Sequence, residues 1–180
     1  MQLLLRLAGL ITRVNEWIGR SVAWLTVAMV LVYFALVILR YVMDFGSIAL
    51  QESVSYMHAL VFMLAASWTL AQDGHVRVDI FYTRLSATGR AWVNLLGSLI
   101  FLLPISLFIF WVSLDYVADS WAQNDGRGEH SAESSGLPWV WLLKTAIPLM
   151  ALQLALQGLA QAINNLNVIR QGSIEPNGEQ

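Results

Sequence analysis

Residues 91–114 read AWVNLLGSLIFLLPISLFIFWVSL, a stretch that contains no Asp, Glu, Lys or Arg. A helix needs about 20 apolar residues to cross the hydrocarbon layer of a membrane. Two earlier stretches, 21–39 and 53–72, also lack these charged residues, and a fourth, 134–169, is interrupted only by Lys144. The sequence therefore predicts an all-α integral membrane protein with four transmembrane helices.

The composition predicts that little of the chain lies outside the membrane. Of its 180 residues, 57% are apolar and 12% are charged, about half of the charged share that is usual in soluble domains. We expect one four-helix transmembrane domain over 1–169 and a disordered cytoplasmic tail over 170–180. The predicted spans lie at about 21–40, 52–72, 91–114 and 137–161. The chain has no cysteine for a disulfide or a thiolate metal site, and its dispersed arginines do not indicate nucleic-acid binding.

The distribution of basic residues predicts the orientation of the chain. With the N-terminus inside, the outer side holds Arg40, Arg127 and Lys144. The inner side then holds a larger set, which comprises Arg6, Arg13, Arg20, Arg77, Arg84, Arg90 and Arg170. Because short cytoplasmic loops are enriched in Lys and Arg, we predict that both termini are cytoplasmic.

An amphipathic pattern precedes the first span. In a helix over about 2–18, one face carries Leu3, Leu7, Leu10, Val14 and Trp17, and the arginines spaced seven apart follow its edge. Such a helix can lie in the inner headgroup layer of the membrane. It would serve either as an orienting anchor or as a docking arm for a partner.

The second span has two different faces. One face carries small and polar side chains together with one aromatic ring, namely Ser55, His58, Ala59, Phe62, Ala66 and Thr69, whereas the opposite face is apolar. Polar side chains at membrane depth usually face protein rather than lipid. The sequence therefore predicts that the first face is buried in protein and that the apolar face meets lipid.

The fourth span carries two strips that are suited to helix packing. Ala151, Ala155 and Gly158 form a small-residue strip, and Gln153 and Gln157 lie on roughly the opposite side. Small residues allow helix backbones to approach closely, and amide side chains form hydrogen bonds between helices. We expect one strip to pack within this chain and the other to pack on a partner. Pro148 is expected to bend the span.

Several classes of chemistry have no support in the sequence. The first three spans contain no charged residue at membrane depth, and Lys144 is close enough to the outer surface to extend toward it. His58 is the only histidine within a span, so one chain cannot supply a bis-histidine haem site. No catalytic motif appears. We expect no catalytic, cofactor-binding or metal-binding residue, and therefore not an enzyme. A self-contained homodimeric transporter and the membrane anchor of a redox complex remain as alternatives.

Three segments resemble a known family. Glu52 opens the second span, residues 74–79 read Gly-His-Val-Arg-Val-Asp, and residues 133–139 read Glu-Ser-Ser-Gly-Leu-Pro-Trp, with Lys144 and Pro148 following. In this setting the chain resembles the small membrane subunit (Q-type, DctQ-like) of tripartite ATP-independent periplasmic (TRAP) transporters. The resemblance extends from about Asn15 to Asn165.

The resemblance implies a function and two protein partners. A periplasmic binding protein would deliver an organic acid to a large permease subunit of about a dozen helices in the bacterial inner membrane. That subunit would import the acid by sodium-driven secondary active transport, so sodium coupling would not reside in the present chain. This chain would be an accessory scaffold without a cofactor of its own. The family residues carried over, with structural or interfacial roles, are Glu52, Gly74, His75, Arg77, Val78, Asp79, Lys144 and Pro148.

Overall fold

The computed structural model describes residues 1–74 and 82–172, and within these ranges the chain is helical, with no strand. In chain order the elements are α1 (Gln2–Val42), α2 (Ile48–Ala71), α3 (Ala87–Gly97), a π-helical segment (Ser98–Leu102), α4 (Leu103–Gly126) and α5 (Val140–Gly172). Helix α3, the π-helical segment and α4 form one continuous third span. Four helices are long and apolar enough to cross a membrane, which confirms the predicted four-span fold.

Helix α5 is the centre of the structure. Helices α1 and α2 pack on each other and on α5, and all three parts of the third span also pack on α5. The exposed edge of α5 is a row of leucines that includes Leu149, Leu152, Leu156 and Leu159. The last helix therefore joins the α1–α2 pair to the third span.

Helix α1 is one continuous helix, whereas the sequence predicts two helices that meet near residue 20. It has 41 residues, which corresponds to about 60 Å of helix and is twice the thickness of the hydrocarbon layer. Its N-terminal half packs against other helices of the chain. Ala8, Asn15 and Gly19 are buried on this side, and Trp17 on the opposite face is exposed. The predicted boundary near residue 20 is therefore wrong. Contacts with α2 and α5 keep the chain helical through the position at which the sequence pattern changes.

The third span is distorted just before Pro104. The Leu103 N–H donates to the Ser98 carbonyl, which is a π-type hydrogen bond within the segment Ser98–Leu102. Proline has no N–H, and its ring clashes with the carbonyl four residues earlier, here that of Ile100. A wider π-helical turn relieves this clash within the helix. The third span therefore accommodates Pro104 through a π-helical turn.

The ends of α2 and α5 also differ from the predicted boundaries. Helix α2 ends at Ala71, and Asp73 just after it is in the left-handed region, with φ of 59°. The Gly74 N–H donates to the Thr69 carbonyl at 2.9 Å, which closes the helix end. Helix α5 continues to Gly172, past the predicted end at residue 161, so the predicted disordered tail cannot begin at Arg170. Its remainder, 173–180, lies outside the described residues.

Candidate functional site

Glu52 holds the loop between α4 and α5 against the start of α2; we call this loop the outer loop, and this end of the bundle the outer end, after the orientation that the arginine distribution predicts. Ser47 caps α2 by accepting a hydrogen bond from the Leu50 N–H, and this places Glu52 in the second turn of the helix. One carboxylate oxygen of Glu52 accepts a hydrogen bond from the Leu137 N–H at 2.6 Å, and the other accepts one from the Ser131 hydroxyl. We call this arrangement the Glu52 clasp.

The loop that the clasp holds is itself tightly folded. The Ser131 N–H donates to the Leu137 carbonyl at 3.0 Å, and the Gly136 N–H donates to the Glu133 carbonyl at 3.0 Å. A β-carbon at Gly136 would lie 2.8 Å from a Glu52 carboxylate oxygen, so a larger residue cannot fit there without movement of the loop. Two parts of the pattern that resembles the family, Glu52 and the segment 133–139, are therefore in direct contact, and Glu52 holds the segment in place.

Lys144 forms a second tie at the same end of the molecule. Its Nζ forms an ion pair with Glu129 and lies 4.2 Å from the ring centroid of Tyr116. The other contact of Glu129 is with Ser120, whose hydroxyl donates to the carboxylate at 2.7 Å. Hydrogen bonds from Lys144 and then from Ser120 lower the pKa of Glu129 below its ordinary value. The Lys144 side chain therefore reaches the loop between α4 and α5, where Glu129 supplies its counter-charge.

Two tryptophans complete the contact between the end of α4 and the start of α5. The Trp121 and Trp141 rings meet edge to face at 4.6 Å, and the Trp121 Nε1–H donates to the Thr145 hydroxyl at 2.9 Å. Gly128, with φ of 87°, packs directly against Trp141 and leaves no room for a side chain. Together with the clasp and the Lys144 ion pair, these contacts tie the outer loop to α2, α4 and α5.

The glutamines of α5 bind to α1 and α2. Gln157 is 2% exposed; its carbonyl oxygen accepts a hydrogen bond from Asn15 Nδ2 at 3.0 Å, and its amide nitrogen donates to the Thr12 hydroxyl at 3.3 Å. Gln161 donates to the Leu70 carbonyl at 2.9 Å. Among the residues that the structure describes, the buried side-chain oxygen of Gln153 has no hydrogen-bond partner.

The small strip of α5 packs on the third span. Ala151 and Ala155 are buried, and a β-carbon at Gly158 would already lie 2.8 Å from a methyl group of Leu102. Both strips are therefore used within this chain. The expectation that one of them meets a partner is corrected, because α5 lies between the α1–α2 pair and the third span and has a neighbour on each side. Pro148 is buried inside α5, and the helix continues through it.

The two faces of α2 differ in how far the rest of this chain covers them. Phe62 is 73% exposed, and Ser55 and His58 are exposed beside it. The opposite face, which includes Met57, Leu64 and Trp68, is instead partly buried. Trp68, for example, packs against Gly19 of α1. The small and polar face of α2 is therefore the one that points away from this chain.

Some packing residues were not identified from the sequence. Ser106, Ser113 and Ser120 are buried on α4 and recur every seven residues, a spacing that repeats on one helix face. This repeat was visible in the sequence as a small-residue strip. Ser131, which bonds to Glu52, and Glu129, which pairs with Lys144, belong to no comparable repeat in the sequence.

For the remaining predicted site residues the structure gives few or no contacts. His75, Arg77, Val78 and Asp79 lie outside the described residues, and Gly74 is placed only by its contact with Thr69. Among residues 1–74 and 82–172, no group of three or more His, Asp or Glu side chains could hold a metal ion.

Comparison with known proteins assigns the chain to a family. The family described as the DctQ component of tripartite ATP-independent periplasmic transporters matches residues 29–168, which include Glu52, Lys144 and the whole transmembrane part of α5. No curated protein and no solved structure matches the chain significantly. The chain is a multi-pass membrane protein that belongs to the DctQ family, and it is therefore the small membrane component of a TRAP transporter.

Proposed function

We propose that this protein is the accessory scaffold subunit of a sodium-driven TRAP transporter that imports an organic acid. It pairs with a large permease subunit in the bacterial inner membrane, and a periplasmic binding protein delivers the acid to the complex. The coupling sodium ions and the substrate bind to the large subunit. The present chain supplies neither a catalytic group nor a cofactor.

One observation supports the scaffold role: several polar side chains near the two ends of the helix bundle are paired within this chain. Glu52 and Lys144 hold the outer loop, and Gln157 joins α5 to α1 near the inner end. In the part of the chain that the structure describes, no carboxylate lies between these two levels. Carriers that couple transport to ions use carboxylates or chains of ionisable groups at membrane depth, and a single histidine such as His58 does not make such a chain. These bonds fix helices in place and provide no site for a substrate.

The first prediction concerns transport by the isolated chain. Reconstituted alone into liposomes, it is expected to show no sodium-dependent uptake of labelled organic acids. Liposomes that also contain the large subunit, supplied with the binding protein and a sodium gradient, are expected to accumulate the acid. Uptake by the single chain above that of empty liposomes would contradict the scaffold role.

The second prediction concerns orientation, which the excess of arginine on one side predicts. The chain lacks cysteine, so Ala87→Cys and Ala132→Cys provide two matched probes, both at exposed positions. In intact spheroplasts, an impermeant thiol reagent is expected to label the Ala132→Cys protein and to reach the Ala87→Cys protein only after lysis. The opposite labelling pattern would place the termini outside.

A further inference from the structure

The exposed face of α2 is unlike the other exposed surfaces of this protein. Its outermost side chains are Gln51, Ser55, His58 and Phe62, which recur at helical spacing along one line, and we call them the α2 stripe. The exposed face of α4 is instead built from large apolar residues such as Ile105, Phe108 and Trp111. Lipid can cover the α4 face at no cost, but the α2 stripe presents hydrogen-bonding groups.

The contrast between the α2 stripe and the apolar α4 face is greatest at His58, which lies near the middle of a predicted membrane span. It lies ten residues after Ile48 in a helix that ends at Ala71, about 15 Å along the axis and close to the middle of the helix. Within residues 1–74 and 82–172 it has no hydrogen-bond or ion-pair partner. Ionisable side chains at this depth almost always face protein or a water-filled cavity.

The shape of the surface suits a helix. Phe62 projects from the stripe, and the small residues Ala59 and Ala66 lie beside it on the same side of α2. Small residues at such positions allow a neighbouring helix to approach closely. Toward the outer end, Gln51 and Ser55 form one wall of an open groove of about 440 Å³ between α1 and α2. The groove continues the stripe toward the outer surface.

We propose that the α2 stripe is the surface on which the large membrane subunit of the transporter docks. The occupant is a transmembrane helix that offers a hydrogen-bonding side chain to His58 and Ser55 and a recess for Phe62. The assignment rests on the proposed pairing with that subunit. Membership in a tripartite transporter family favours this occupant over a second copy of the chain. Both strips of α5 are already used internally, so they do not compete for this role.

The main test is photo-crosslinking in cells that express the complete transporter. A photoreactive benzoylphenylalanine replaces Phe62 or, as a matched control, Phe108; these two phenylalanines are 73% and 67% exposed. The Phe62 variant is expected to yield an adduct with the large subunit, and the Phe108 variant is expected to yield only background. Equal yields from both positions, an adduct of two copies of this chain, an adduct with an unrelated protein or no protein adduct would each overturn the assignment.

A pair of substitutions measures the polar contribution. His58→Leu is expected to reduce the recovery of the large subunit by about threefold to tenfold, the range expected for one interhelical hydrogen bond. Thr26→Leu is the control, because the exposed Thr26 hydroxyl already donates to the Ala23 carbonyl of its own helix. Both changes make a surface more apolar, so both chains should insert and remain helical by circular dichroism. Unchanged recovery with His58→Leu would contradict the role of the histidine.

The two proposals fail differently. If the unmodified chain co-purifies with the large subunit but the Phe62 variant gives no adduct with it, pairing stands and the α2 stripe is excluded as the docking surface. If the unmodified chain does not co-purify with the large subunit at all, the proposed function fails as well.

Discussion

Replacing Gly19 by alanine is expected to separate α1 from α2 and to lower the thermal stability of the detergent-solubilised protein. A β-carbon at this position would lie 2.5 Å from the Trp68 Cβ and 2.8 Å from its Cγ. The Trp68 Cβ is attached directly to the α2 backbone, so a change of rotamer cannot move it away. Overpacking of this kind typically costs about 1–3 kcal/mol. Intrinsic fluorescence during heating, which averages over the eight tryptophans of the chain, would report the unfolding temperature.

Gly9 provides the matched control in the same helix. A β-carbon there would meet no atom within 4 Å. Since glycine inside a helix is less favourable than alanine by about 0.5–1 kcal/mol, Gly9→Ala is expected to leave stability unchanged or to raise it. If both variants unfold at the same temperature as the unmodified protein, α1 and α2 do not make the close contact described above.

Replacing Glu52 by alanine is expected to release the outer loop. The change removes the acceptor of the Leu137 N–H and the Ser131 hydroxyl together. Hydrogen bonds to charged groups contribute about 1.5–3 kcal/mol each, and the clasp is only half-buried, so we expect a total loss of about 2–3 kcal/mol. Proteolysis within 130–138, mapped by mass spectrometry, is expected to become faster than in the unmodified protein. Glu52→Gln keeps one acceptor oxygen and is expected to have an intermediate effect.

Glu133 is the control for charge in the same loop. It is exposed, and its contribution to the turn is its backbone carbonyl, which accepts from the Gly136 N–H. Glu133→Ala keeps that carbonyl and is expected to leave both the cleavage rate and the unfolding temperature unchanged. Equal cleavage of the Glu52→Ala and Glu133→Ala proteins would show that the carboxylate of Glu52 does not hold the loop.

The number of spans was predictable because crossing the hydrocarbon layer requires a continuous run of about 20 apolar residues, which can be recognised without knowing the fold. A run such as 91–114 must cross a membrane wherever it packs. The unbroken helix α1 was not predictable in the same way. The arginines at 6, 13 and 20 suggest an interfacial helix that ends near Gly19. Its continuation depends on contacts with Trp68 and Gln157, which are far away in the sequence.

For the site, too, the sequence identifies individual residues but does not identify their partners when these are far away in the chain. The family resemblance selected Glu52 and Lys144 from the sequence, but Ser131 and Leu137 are separated from Glu52 by 79 and 85 positions. No spacing rule connects residues that far apart. The periodicity of α2 distinguishes its two faces, but it does not show which neighbour covers each of them; in this chain Ser55, His58 and Phe62 are exposed. In a membrane both lipid and neighbouring helices accept apolar side chains, so the pattern alone does not say which face turns inward.

The central position of α5 has a consequence for how the protein is made. Residues 140–172 are synthesised after the other three spans, and every one of those spans packs against them. Until this segment leaves the ribosome, the α1–α2 pair and the third span lack the neighbour that joins them. Its arrival completes the four-helix bundle in one step, so a chain that stops before residue 140 is expected to leave apolar and polar packing surfaces uncovered, which favours misassembly and degradation.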